Sequence, residues 1–322
     1  MTRHCLKLLP LAALLCALPL AAWNHVGHKA VAGVAYERLT PAARARVDAL
    51  IRNHPDYQSW LVNAPADQAG RARHAFLQAA YWPDTIKGDE RFYDESKRDA
   101  LATSPAPGFH DMKRRTNWHY INIAFSPDGT PFPPPPPVNV LAQIKTILGV
   151  IGHDQPPAPG SVAAEQDPTY LLPWLLHLVG DVHNPMHCTS RWKKDQVDPR
   201  TGKPWSDLGG NGVSVVGAYN LHAYWDDALG ITDTPAFVDG VVKLLQKKGE
   251  QGAQISDPEV WVNEGARLAE SVCYNYGSEG KGTKEDPVKL SDEYSIKARE
   301  LARERAALAG RRLAAVLNER LK

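Results

Sequence analysis

HLVGDVHNPMH, residues 177–187, combines an apolar helical period with groups that bind metals. Just upstream, Asp167-Pro168 has the form of a helix start, a capping side chain followed by proline at the first helical position. Leu171, Leu175 and Leu178 continue from it at helical spacing. On such a helix His177 and Asp181 lie one turn apart on one face. Asn184-Pro185 then disturbs the helix, and His187 follows. The flanking Leu176 and Leu178 imply burial, and a buried carboxylate needs a cation or several hydrogen bonds.

The same helical grammar recurs along the chain. Thr40-Pro41, Thr234-Pro235 and Asp257-Pro258 repeat the start signal. From Asp257, apolar positions run to Tyr276 and a stop at Gly277. Val140, Ile144, Ile147, Leu148 and Ile151 form another stripe, and a last helix is expected over about 291–321. Strand signal is scant. Only Val213, Val215 and Val216, after Gly-Gly-Asn-Gly, suggest a short hairpin. Residues 126–139, 154–160, 192–212 and 277–290 read as long polar loops. No internal repeat or composition shift marks a boundary. The expected fold is mainly α: a single compact multi-helix domain over 23–322, with long loops and at most a short β-hairpin.

Residues 1–22 read as a removable signal peptide, with Arg3 and Lys7 before the apolar LLPLAALLCALPLAA and small residues at Ala21-Ala22. That stretch is too short and too proline-broken for a membrane anchor, and no later segment resembles a span. Periplasmic or secreted localisation follows as an expectation. Cys5 and Cys16 leave with the leader; Cys188 and Cys273 remain, either as a disulfide, as the oxidising compartment would favour, or as two buried thiols.

The 322-residue chain carries 37 Lys+Arg against 36 Asp+Glu, and removal of Arg3 and Lys7 leaves it slightly acidic. A broad basic surface for gripping duplex nucleic acid is therefore excluded. Any polyanion must be held by concentrated charge, such as bound metal. The composition is unusual in its twelve histidines and nine tryptophans.

His222 and Asp226 in NLHAYWD repeat the four-residue spacing of His177 and Asp181, again beside apolar residues, Leu221 and Trp225. Imidazole and carboxylate pairs of this kind suit zinc. A single pair is commonly just a hydrogen-bonded surface pair; two in buried surroundings are harder to dismiss. Upstream stand Trp23 and His28 in WNHVGH, Asp84 in WPDTIK and His119 in WHYIN. Each alone has a bland reading as a turn, cap or core residue. Export would make the Trp23 amine a new terminus, able with its own carbonyl to chelate metal.

Taken in order from Trp23 to Asp226, this set resembles the trinuclear-zinc nucleases of the S1/P1 family, single-strand-specific enzymes and 3′-nucleotidases related to the zinc phospholipases C. The resemblance implies three Zn²⁺. Asp84, His119, His177 and Asp181 would hold the first. The Trp23 amine and carbonyl, His28 and the other oxygen of Asp181 would hold the second. His187, His222 and Asp226 would hold the third, with positions open for water or phosphate. It also implies hydrolysis by a metal-activated hydroxide to 5′-phosphate ends, on single-stranded RNA, single-stranded DNA and 3′-mononucleotides, with no membrane and no obligate protein partner. Asp84 would orient or deprotonate the attacking water and Lys87 would stabilise charge on phosphorus. Tyr120 stands where fungal members stack a base, and Asn122 where they carry a base-contacting aspartate, so base preference does not transfer. Asn211 is either a substrate contact or a turn residue. His183 is assigned a supporting role, and His25, His54, His74, His110 and His153 are expected to be ordinary surface or loop residues. Two rivals stand beside this reading. One is a phospholipase C on the same scaffold, although that branch typically closes the third site with glutamate rather than aspartate. The other is a zinc-binding protein without turnover.

Overall fold

The computed structural model describes residues 23–152, 164–198, 201–277 and 279–322. The leader (1–22), His153 and the proline-rich stretch 154–160 lie outside the described residues. The chain is mainly helical: α1 His25–Glu37, α2 Pro41–Arg52, α3 Tyr57–Trp60, α4 Gln68–Thr85, α5 Val140–Val150, α6 Pro168–Asp181, α7 Leu221–Asp226, α8 Pro235–Gln246, α9 Pro258–Leu268 and α10 Asp292–Arg320. None of these is long and apolar enough to cross a membrane.

The expected start signals are used as such. Thr40, Asp167, Thr234 and Asp257 each accept a backbone N–H at the head of α2, α6, α8 and α9, with proline in the first turn. Helix α6 is the axis of the fold, with every residue from Pro168 to Asp181 buried. It packs against α4 and α5, while α1 packs against α10, α4 and α8. The close approach of α1 and α10 depends on Gly310, where an added Cβ would lie 2.6 Å from the Val34 Cβ. Helix α9 ends at Leu268 and continues into a π-turn, Ala269–Cys273, short of the expected stop at Gly277.

The strands differ from expectation. The segment around Val213–Val216 forms only isolated bridges, Val215 with Ala218 and with Val288. The sheet is built elsewhere, from β1 Ile123–Phe125, β2 Thr189–Val197 and β3 Pro204–Ser206 in that order. β1 pairs parallel with β2, Ile123 opposite Thr189, and β2 pairs antiparallel with β3, Trp192 opposite Ser206. Much of the expected 192–212 loop is thus strand. Its polar composition misleads because the outer part of β2 is exposed, and it is held by backbone pairing rather than by a buried face.

Cys188 and Cys273 are both buried as free thiols, the second of the two alternatives. The Cys188 thiol donates to the Val182 carbonyl at 3.3 Å, and burial pushes its pKa up to about 12. His54 is no surface residue. It is buried, stacked on Trp60 and edge-on to Trp82, and it accepts from the Asp56 N–H through Nδ1. Nor is His110 a free loop residue: its Nε2 lies 2.8 Å from Asp167 Oδ2, which ties the 110 loop to the cap of α6. His25 and His74 lie in α1 and α4 and are partly buried.

Candidate metal centre and substrate cleft

Helix ends deliver most of the candidate ligands. His28 sits in the first turn of α1, fixed by the Asn24 cap that accepts from Val26 and Gly27. Asp84 closes α4 just after Pro83, and His177 and Asp181 form the last turn of α6. His119 follows a 3₁₀ turn at Thr116–Trp118. The break after α6 is organised by Asn184, which caps a second 3₁₀ turn, Pro185–Cys188, and so aims His187. The short helix α7 presents His222 and Asp226, and its cap Asn220 accepts from Ala223.

These side chains converge in three groups: His28, Asp84 and His177; His119, His177 and Asp181; and His187, His222 and Asp226. Asp181 divides its oxygens. Oδ1 lies 3.4 Å from His28 Nε2, whereas Oδ2 lies 3.2 Å from His119 Nδ1 and 3.4 Å from His177 Nε2. Asp84 Oδ1 is 3.6 Å from His177 Nε2 and 3.8 Å from His119 Nδ1. In the third group His187 and His222 face each other through Nε2 at 3.0 Å, each 3.6–3.8 Å from an Asp226 oxygen. All eight side chains are buried.

Outer partners set the imidazole tautomers. His177, His187 and His222 each place Nδ1 against a backbone carbonyl, of Ala80, His119 and Gly209 respectively, at 2.7–2.9 Å. Nδ1–H therefore donates outward and the Nε2 lone pair points inward, as a metal ligand requires. Two glycines make room. A Cβ at Gly180 would lie 2.9 Å from His28 Nδ1, and Gly209, at φ +65°, could carry one only 2.6 Å from the Met186 carbonyl. Asn184 also donates to Asp226 Oδ1 at 2.8 Å, a contact the sequence reading did not anticipate.

The electrostatics leave this cluster incomplete. Oδ2 of Asp84, Oδ1 of Asp181, both ring nitrogens of His28 and Nε2 of His119 are buried without a hydrogen-bond partner. Burial pushes Asp181 well above the ordinary carboxylate range and Asp226 up to about 7. It also holds His28, His119 and His177 well below the ordinary histidine value and lowers His187 to about 4. Neutral imidazoles and carboxylates short of positive charge are the donor set that divalent cations with nitrogen and oxygen preference complete. The residues fit such ions. Lys87 supplies one positive charge here, its Nζ 2.6 Å from Asp84 Oδ1.

Trp23 is fully buried beside this cluster, its indole N–H donating to the Gly180 carbonyl at 3.0 Å. His183 faces away. Its Nδ1 donates to the Val179 carbonyl and its Nε2 accepts from Arg312, so it belongs to the packing of α6 on α10.

His119, His187, His222 and Lys87 form the floor of a cleft of about 580 Å³. Tyr120, Asn122 and Asn211 line it as well. Tyr120 donates through its hydroxyl to Asn117 Oδ1, and both ends of the Asn211 amide are engaged, with Leu208 O and Asn220. Asn211 thus makes the turn while also bordering the cleft. The far wall comes from the 88–117 segment, including Asp94, Ser96, Lys97, Arg114, Thr116 and Asn117. The sequence reading missed this wall because the segment has no periodicity and no recognisable ligand spacing.

A comparison with known families adds a second line. No curated protein matches the chain. The S1/P1 Nuclease family model matches residues 23–322, which extends the likeness through the helices after 234 that the motifs alone do not cover. The chain belongs to the S1/P1 nuclease family, whose members hydrolyse phosphodiester bonds.

Proposed function

We propose that this protein is an exported, zinc-dependent nuclease that cleaves single-stranded RNA and DNA to 5′-phosphate ends and also acts as a 3′-nucleotidase. The observation that carries the reading is a set of buried, partner-poor carboxylates and neutral imidazoles opening onto one polar cleft. A nearly neutral chain can then bind a polyanion without a basic surface.

Asp84, His119, His177 and Asp181 would hold one ion, and His187, His222 and Asp226 another. His28, the second oxygen of Asp181 and the Trp23 amine and carbonyl would hold a third once cleavage after Ala22 frees that amine. Zinc in such sites lowers the pKa of water and neutralises phosphoryl charge. Asp84 orients the attacking water and accepts its proton. Lys87, at the cleft floor, contacts the phosphoryl oxygens and offsets charge as phosphorus becomes five-coordinate. Tyr120 stacks a base, which must leave any helical stack to reach the cleft, and single-strand preference follows.

The test is hydrolysis of single-stranded RNA, single-stranded DNA and 3′-AMP, with phosphatidylcholine vesicles as the contrasting substrate. Cleavage of the first three, with 5′-phosphate ends, supports the reading. Turnover of the vesicles alone would replace it with a phospholipase. A form carrying one extra residue before Trp23 is expected to lose one zinc by elemental analysis; unchanged stoichiometry would remove the terminal ligand.

A further inference from the structure

We infer that Asp94 reads the edge of the base seated against Tyr120 and that the cleft prefers guanine. This rests on the nuclease reading above and deepens it.

Asp94 is the only carboxylate among the described residues that line the cleft. A negative charge there opposes phosphate, so its presence calls for a separate partner. Its two oxygens are used unequally. Oδ1 accepts from the Ser96 N–H at 3.1 Å, the Ser96 hydroxyl at 2.5 Å and the Thr116 hydroxyl at 3.2 Å. Oδ2 has a cation only at 3.7 Å, the Nζ of Lys97, whose side chain is 71 % exposed. Burial works against ionisation, but the hydrogen bonds from Ser96 and Thr116 and the Lys97 charge outweigh it and hold the carboxyl below its usual value. Oδ2 is therefore a charged acceptor held in place through its companion oxygen, which the loop already occupies.

The neighbours complete a pattern. Thr116, which donates to Asp94, and Asn117, which accepts from the Tyr120 hydroxyl, are neighbours in one 3₁₀ turn, and this places Asp94 and Tyr120 on the same stretch of cleft wall. Asn117, whose Oδ1 accepts from the Tyr120 hydroxyl, has Nδ2 as its remaining donor. An ionised acceptor beside an amide donor matches the guanine edge, where N1–H and N2–H lie next to the O6 acceptor. Adenine and cytosine offer an amino donor next to a ring-nitrogen acceptor that a carboxylate repels. Uracil and thymine flank their single N–H with two carbonyls. Hydrogen bonds to charged groups favour the matching base by about tenfold or more.

The experiment compares kcat/KM for 3′-GMP, 3′-AMP, 3′-CMP and 3′-UMP in the wild type, Asp94→Asn and Asp94→Ala, with bis(p-nitrophenyl) phosphate as a substrate without a base. Asp94→Asn keeps an acceptor for Ser96 and Thr116 but replaces the second oxygen with a donor. The wild type is expected to favour 3′-GMP over 3′-UMP about tenfold, and Asp94→Asn to reduce that ratio at least about fivefold. Asp94→Ala, checked for folding by its thermal transition, should reduce it as well. An unchanged ratio, with every substrate including the base-free one slowed by the same factor, would make Asp94 a loop anchor and overturn the inference. Hydrolysis of all four nucleotides without guanine preference would overturn it while leaving the nuclease reading intact. No hydrolysis by the zinc-loaded wild type would overturn both.

Discussion

Two buried polar clusters sit at the C-terminal end of α6, and they are built in opposite ways. Behind the helix, Glu264 accepts from Arg305 and Arg312, Arg312 also donates to His183, and Arg305 donates to the His183 carbonyl, so every side chain has a partner and only Arg305 Nη2 is left without one. Burial would raise the Glu264 pKa, yet hydrogen bonds from the two arginines hold it below the ordinary value. In front of the helix, Asp84, Asp181 and Asp226 face imidazoles that burial keeps neutral, and several of their polar atoms have no partner. The first cluster shares one carboxylate between two arginines and holds α9 and α10 to the core. The second sets three carboxylates against one lysine and leaves buried atoms without partners, so cations from outside would complete it. Burial alone does not separate scaffold from site, since both are buried; satisfaction does.

The sharpest break of this contrast is Asp181→Asn. With metal, it should lower hydrolysis about 1,000-fold or more, equivalent to several kcal/mol of lost transition-state charge stabilisation, and lower the zinc content as well. After chelation the sign should reverse, because the substitution removes a buried carboxylate that lacks a counter-charge. Urea unfolding of the chelated variant should show a gain of about 1 kcal/mol. A loss there would mean that the cluster is self-sufficient.

Lys87→Ala separates charge on the substrate from charge on the ions. It is expected to reduce kcat/KM about 100-fold with zinc content unchanged, as for loss of one donor to developing charge. Equal loss of zinc would make Lys87 a structural counter-ion to Asp84.

Glu264→Gln tests the satisfied cluster. It should cost about 2–3 kcal/mol in urea unfolding with or without chelator, since two buried arginines lose their shared counter-charge. Zinc content should be unaffected. A chelator-dependent effect would show that the two clusters are coupled.

At neutral pH the smallest expected effect on activity is at His54, whose role shows in the pH dependence of stability. Burial lowers its pKa to about 3, although Asp56 and Asp167 raise it somewhat and Arg91 lowers it further. The folded state thus keeps His54 neutral, while the unfolded chain takes up a proton near pH 6.5. Its stabilising contribution is whole above pH 6.5 and is lost progressively as pH falls from 6.5 toward 3. His54→Asn should flatten the acid decline in stability by up to about 1.4 kcal/mol per pH unit between pH 6 and 4. An unchanged slope would show that His54 charges in the folded protein.

How much was legible follows from the same physics. Helix α6 announces itself because a cap, a first-turn proline and a leucine period agree, and the His177–Asp181 spacing then has only one geometric meaning. His222 and Asp226 are legible for the same reason. The sheet is not, because β2 carries Lys193, Lys194 and Asp195 where an alternating apolar face would have signalled a strand. His54 escaped because Trp82 and Phe109, far off in sequence, join the nearby Trp60 in burying it. Asp94 and the rest of the far wall are assembled by side-chain hydrogen bonds between 94–96 and Thr116, which leave no periodic trace. The disulfide alternative rested on counting cysteines, which says nothing about where each thiol is buried.

The central claim is that the partner-poor cluster is completed by three zinc ions. The most direct measurement is anomalous diffraction at the zinc edge from crystals of the mature, active enzyme. The account predicts three peaks, one at each donor group: beside His28 and Asp181, among Asp84, His119 and His177, and among His187, His222 and Asp226. Fully active crystals with no peak in these groups would contradict it.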